Sequence, residues 1–263
     1  MVIVPIRSTL TLIMNNLIIF DLDGTLLDTR TDIAAACNHA LRSCGYPERR
    51  LDEYNMLVGR GIYNLFRQAL PEEARTDGNV MRMKAFFVPY YDEHIADSTL
   101  PYPGIMDMLE NLSEAGVKFA VASNKYQSGT EALVTRFFRK HDFVAVFGQR
   151  DGFPIKPDPA IVADAMAALP GVTAEQTIYC GDSDVDMQTG INAGVRTIGV
   201  SWGFRSREEL EAYRPWLIAE KPEDIVTKIM TTFEGQTPES WEQKKDMSTN
   251  WQNTSCWLQV LPS

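Results

Sequence analysis

Asp21 and Asp23 close the apolar run LIIF in the stretch LIIFDLDGTLLDT at residues 17–29. On a strand, side chains two residues apart share a face, so these carboxylates would stand side by side. Like charges so placed repel, and one loses its ionisation unless a cation or a donor lies between them. Three more polar clusters follow apolar runs: Ser123 and Asn124 after KFAVA, Lys156 in IKPDP after FVAVF, and Asp182 with Asp186 in GDSDVD after TIYC. Alone, each has a plain explanation as a turn, a helix cap or a solvated charge. Together they put several carboxylates, one lysine and a hydroxyl at successive strand ends, with no candidate catalytic histidine. Hard oxygen donors without His or Cys favour Mg²⁺ over zinc. Such an ion shares its shell with water and a phosphate oxygen, while Lys, Ser and backbone N–H groups add positive potential around a phosphoryl group. One carboxylate can then attack phosphorus, and a second can give and take the proton.

The elements that must position these groups alternate along the chain. Runs 17–20, 118–122, 143–147, 177–180 and 196–200 read as strands, and 105–115, 128–139, 159–168 and 184–193 as helices. Continuous apolar strands alternating with helices predict an α/β fold with a parallel sheet covered on both faces. In such a sheet a ligand sits beyond the carboxyl ends of the strands. Residues 31–98 hold no convincing strand and read as an inserted helical subdomain, with STLPYPG at 98–104 as the return linker. Its first helix should end at Gly45, and further helices are expected near 50–57, 61–70 and 76–96. Thr29 and Asp32 resemble a capping box, and Pro89 should bend or break the last helix. The organisation expected is an N-terminal extension at 1–16, a core at 17–30 and 99–233, the insertion at 31–98 and a mobile tail at 234–263. Trp241, Trp251 and Trp257 are scattered through that tail without a period.

Composition narrows the partners. The chain has 263 residues, 44% of them hydrophobic, enough for a real core. Its 35 acidic and 25 basic residues give a net charge of −10, which argues against nucleic acid or an anionic membrane as partner. A small anionic substrate remains compatible, because a site can be locally positive. The four cysteines form no CxxC pair and read as reduced packing residues of a cytoplasmic protein. The first sixteen residues carry Pro5 and Arg7 and are too short and interrupted to span a membrane.

In order, DLDGT, ASN, KPDP and GDSDVD resemble the four motifs of the haloacid dehalogenase-like hydrolase superfamily, over residues 17–232. The resemblance implies a Rossmann-like core, with the insertion as a type 1 cap. DGTLLDT, VGRGIYNLFRQAL, ASNK and GVSWGFRSREEL are most similar to its phosphoglycolate phosphatase subfamily. The implied roles follow by position. Asp21 attacks phosphorus. Asp23 is general acid and then base, and its backbone carbonyl ligates Mg²⁺. Asp182 completes the metal ligands, Ser123 binds the phosphoryl group, and Lys156 neutralises it and the nucleophile. Asp186 orients Lys156 or metal-bound water, with Asp184 as a rival that reads better as a helix-start residue. Gly24 permits the tight turn, Asn124 contributes near the phosphate, and Asp28 shapes the cap entrance. Arg60 in VGRGIY is a candidate partner for a substrate carboxylate, with a solvated surface arginine equally open. The activity implied is Mg²⁺-dependent hydrolysis of a small phosphomonoester, with 2-phosphoglycolate foremost. A phosphosugar mutase, a pyrophosphatase and a catalytically silent binding protein are the alternatives. Nothing in the sequence fixes oligomeric state.

Overall fold

A computed structural model describes residues 16–141 and 143–233. The expected extension, apart from Asn16, and the expected tail with its three tryptophans and Cys256 lie outside the described residues. The strands are β1 (Leu17–Phe20), β2 (Leu27–Asp28), β3 (Leu100–Pro101), β4 (Lys118–Tyr126), β5 (Phe143–Gln149), β6 (Thr177–Gly181), β7 (Arg196–Val200) and β8 (Leu217–Ala219). Six of them form one parallel sheet in the order β5-β4-β1-β6-β7-β8. β2 and β3 pair antiparallel as a separate ribbon, Leu27 opposite Pro101 and Asp28 opposite Leu100.

The helices are α1 (Arg30–Cys44), α2 (Tyr54–Leu57), α3 (Ile62–Ala69), α4 (Asp77–His94), α5 (Ile105–Glu114), α6 (Gln127–Phe138), α7 (Ala160–Ala167), α8 (Asp184–Asn192), α9 (Arg207–Glu211) and α10 (Pro222–Phe233). The apolar run LIIF becomes the centre of the sheet because both of its faces can be buried. Ile18 and Phe20 pack with Leu109 of α5, Leu133 of α6 and Ile225 of α10. Leu17 and Ile19 pack on the other face with Ile161 and Val162 of α7. The five expected strands are present. β8, α9, α10 and the β2–β3 ribbon are additional to the sequence reading.

The regular elements of the insertion are all helical, and they enclose a second core, with Phe66, Phe87, Tyr91 and Tyr54 buried between α1, α3 and α4 and Phe204 joining from outside the insertion. α1 ends as expected at Gly45, whose φ of 80° is the left-handed conformation that glycine adopts without strain. Two local expectations need correction. Pro89, expected to bend or break its helix, lies inside the 18-residue α4, which continues past it unbroken. Pro89 and Ala85, whose carbonyl loses its helical donor, are both exposed, so water can satisfy that oxygen. Buried Met83, Phe87 and Tyr91 hold the helix on both sides of it.

The capping box is also absent: Thr29 is the N-cap without a side-chain cap bond. Asp32 instead reaches the return linker, where its carboxylate accepts from Ser98 N–H at 3.0 Å, Thr99 N–H at 2.8 Å and Thr99 Oγ1 at 2.7 Å. One buried carboxylate thus ties the start of the insertion to its end. Asp32→Ala should cost about 2–3 kcal/mol in urea unfolding, because it strands buried donors that bonded a charged acceptor.

Candidate active site

The sheet edge beyond β1, β4 and β6 gathers the chemistry. Asp21 follows β1, and its N–H bonds Cys180 O of β6 at 2.9 Å, so the first carboxylate leaves the sheet beside the last ones. The Lys156 ammonium is fully enclosed and has three partners. It lies 3.0 Å from Asp21 Oδ1 and 2.7 Å from Asp186 Oδ1, and donates to Tyr179 Oη at 3.0 Å. The Tyr179 hydroxyl in turn donates a hydrogen bond to Ala122 O at 2.9 Å. Burial alone would drive the ammonium down, but Asp186 and Asp21 hold it well above the ordinary lysine range. Asp186 is fixed in turn: its Oδ2 accepts from Ser183 N–H at 3.0 Å and Ser183 Oγ at 2.6 Å, as the reciprocal cap of α8.

Asp182 accepts from Thr25 Oγ1 at 3.1 Å and from Phe204 N–H at 2.7 Å. Two glycines make room for it. A Cβ at Gly24, whose φ is +83°, would overlap the Asp182 carboxylate, and one at Gly203 would overlap Asp182 Cβ. Carboxylate oxygens of Asp21, Asp182 and Asp186 lie within 4.8 Å of one another. Burial pushes the Asp21 carboxyl up to about 7, against the pull of Lys156 and with the push of Asp186 and Asp23. Burial, then Asp186 and Asp21, raise Asp182 well above the carboxylate range.

Asp23 turns to a different cation. Lys125 at the end of β4 places Nζ 3.0 and 3.1 Å from its two carboxylate oxygens, both side chains being buried. Four buried carboxylates (Asp21, Asp23, Asp182 and Asp186) therefore face two buried ammonium groups (Lys125 and Lys156). With all four ionised, the surplus of two negative charges and the all-oxygen donor set fit a hard divalent cation, whose charge would oppose the burial that raises Asp21 and Asp182.

Between cap and core lies a narrow cleft. Asp21, Asp23, Ser123, Asn124 and Lys125 line its core side, and Ile33, Val58, Ile62, Leu65, Phe87 and Tyr91 its cap side. The arrangement can press an anion against a held carboxylate while apolar cap residues exclude water.

Comparison with known proteins decides the family. Residues 18–200 match the family model of the haloacid dehalogenase-like hydrolases. The chain belongs to that family. It is 32% identical over 207 residues to a phosphoglycolate phosphatase of Pseudomonas putida, covering 77% of this chain and 75% of the relative. It is 34% identical over 192 residues to one of Caulobacter vibrioides, covering 71% and 79%. A solved structure from Lactobacillus delbrueckii subsp. bulgaricus superposes with a TM-score of 0.77 at 32% identity, over 82% of this chain and 98% of that one.

Within this haloacid dehalogenase-like hydrolase, Asp21, Asp23, Ser123, Lys156, Asp182 and Asp186 meet at one sheet edge. Asn124 is there as a brace: its Oδ1 accepts from Lys156 N–H at 2.9 Å, and its Nδ2 donates to Lys156 O at 3.2 Å and to Gly59 O of the cap at 3.0 Å. Arg60 is not brought to the cleft, although its neighbours Gly59 and Gly61 line it. Its guanidinium, half exposed, pairs with Asp184 at the start of α8. Asp28 accepts from Arg30 N–H at 3.3 Å where the chain enters α1. Cys37 and Cys180 are buried free thiols, and Cys44 is a partly buried one.

The sequence reading missed Lys125, Tyr179 and Ser183. Lys125 left a signal, since a lysine closing the apolar run KFAVASNK has no reason to be buried without a carboxylate partner. Tyr179 left none, because a tyrosine within TIYC reads as packing.

Proposed function

We propose that the chain hydrolyses small phosphomonoesters, 2-phosphoglycolate foremost, in the cytosol, through a phosphoryl group carried on Asp21. The observation that carries this reading is the buried Asp21 held 3.0 Å from Lys156 within a cluster of three carboxylates. The curated relatives named as phosphoglycolate phosphatases support the substrate. An Oδ of Asp21 attacks phosphorus, the P–O bond to the alcohol breaks, and Asp23, which must take up a proton before the ester reacts, gives that proton to the departing oxygen. Water then attacks the same phosphorus; Asp23 takes its proton, phosphate leaves, and the Asp21 carboxylate is regenerated. Lys156 keeps Asp21 ionised and neutralises the phosphoryl oxygens, and Asp186 holds Lys156 in place. Ser123, buried at the cleft wall, donates to the phosphoryl group. Asp21 and Asp182, with Asp186 or the Asp23 backbone carbonyl, would hold Mg²⁺, which supplies charge neutralisation at the phosphate oxygens. The acidic chain and the small cleft fit a small-molecule ester rather than nucleic acid or a membrane surface. No helix of the described residues is long and apolar enough to cross a membrane.

The test is phosphate release from a panel of phosphometabolites with Mg²⁺. Chelation should lower release on the order of 100-fold or more, and added Mg²⁺ should restore it. An isomerised sugar phosphate with little free phosphate would point to a mutase instead. No release from any ester with Mg²⁺ present would refute the proposal.

A further inference from the structure

The cleft carries two donors that the reaction above does not use. Lys125 is the one cation among the described residues that line it. Its ammonium has three donors, of which Asp23 takes two. The Tyr91 ring of α4 covers it, 4.7 Å from Nζ to the ring centroid. Tyr91 lines the same cleft, and its Oη is buried with no hydrogen-bond partner among the described residues. A buried phenol without a partner is unfavourable, and such an atom in a ligand cleft marks a place where the ligand completes the bond. The rest of the cap wall is apolar, so a second anion on the substrate needs a cation there. Arg60 is occupied by Asp184.

We propose that Lys125 and Tyr91 form the subsite for a carboxylate on the alcohol half of the substrate. The ligand class is a short phosphate ester whose alcohol bears a carboxylate one or two carbons from the ester oxygen. Lys125 supplies the charge through its remaining proton, and Tyr91 supplies the hydroxyl. The inference rests on the phosphatase reading and narrows it.

The discriminating pair is 2-phosphoglycolate and 2-hydroxyethyl phosphate. Both release an alkoxide and make a similar demand on Asp23, but only the first has a carboxylate. The parent should prefer 2-phosphoglycolate in kcat/KM. Tyr91→Phe should lower that preference about tenfold, mainly through KM, while thermal stability stays equal or rises because an unpartnered buried hydroxyl is gone. Lys125→Gln keeps a donor for Asp23 and should remove most of the preference, with partial recovery in Lys125→Arg. If both variants slow the two esters alike, the two residues do not read the carboxylate. Loss of the preference in Arg60→Ala with retention in Tyr91→Phe would also overturn the assignment. Phosphate release from 2-hydroxyethyl phosphate and other esters without any preference would sink the subsite and leave the phosphatase reading standing. Calorimetric binding to the Asp21→Asn chain reads the subsite without turnover. Tighter binding of 2-phosphoglycolate, lost on adding Tyr91→Phe, supports it; equal affinity for the two esters refutes it.

Discussion

Asp21→Asn should cut phosphate release by more than about 10⁴-fold and leave the fold intact. An amide has no free electron pair basic enough to attack phosphorus, and no neighbour can substitute. Asp23 is paired with Lys125, Asp186 with Lys156 and Ser183, and Asp182 with Thr25 and Phe204 N–H. The same substitution should change the pH dependence of metal-free stability. The Asp21 carboxyl rises from an ordinary 3.8 to about 7 on folding, chiefly through burial. A carboxyl raised in this way holds its proton more tightly when folded, so its stabilising contribution is full below the ordinary value and is lost as pH climbs to about 7. The Asp21→Asn chain lacks that loss, and its stability in chelator should fall less between about pH 4 and pH 7. Urea titrations at several pH values read the difference. Parent-like hydrolysis of p-nitrophenyl phosphate by this variant would show that Asp21 is not the nucleophile.

Lys156→Met should damage both stability and activity. The ammonium is the only cation within 3.0 Å of Asp21 and Asp186 among the described residues, and its side chain is 1% exposed. Removing it leaves buried carboxylates without compensation, a change that costs about 3–5 kcal/mol. Turnover should drop on the order of 10³-fold, since a charge aimed at the reacting group is lost. Two controls separate the effects. A divalent cation binds only the folded cluster and should recover part of the stability but not the turnover. Adding Asp21→Asn removes one of the stranded charges, so the double variant should be more stable than Lys156→Met alone. A Lys156→Met chain with parent-like melting in chelator would mean that the carboxylates are already neutral and that the charge account is wrong.

What could be read in advance followed from burial. LIIF, KFAVA, FVAVF, TIYC and RTIGV are continuous apolar runs because each is covered on both faces, and such runs announce themselves. β8 is a three-residue, half-buried edge strand, too short to show a pattern. β2 and β3 have two residues each, and one of the four is a proline. The site was legible where polar residues interrupt apolar runs, which is how Asp21, Ser123 and Asp182 stand out. Residues that act through tertiary partners were not. Asp32 has the spacing of a helix cap but finds better donors at Ser98 and Thr99. Arg60 has the setting of a substrate ligand but pairs instead with Asp184 at the start of α8. Neither encounter leaves a local pattern, because the partners lie 66 to 124 positions apart.

The β2–β3 ribbon bears on how such a chain can fold. Leu27 and Asp28 pair with Pro101 and Leu100, and Asp32 clasps the next residues outward, so the helical insertion starts and ends at a single point. To the sheet, everything between those two crossings is one closed loop. The entropy of closing a loop grows only with the logarithm of its length. β1 can therefore find β4 at nearly the same cost whatever the insertion contains, and the insertion's core needs only Phe204 and Tyr126 from the rest of the chain to complete it. The pinch turns the cap into an interchangeable cassette: its helices, Tyr91 included, can be redrawn for a new ligand while the strands that carry the phosphate chemistry go on assembling as before.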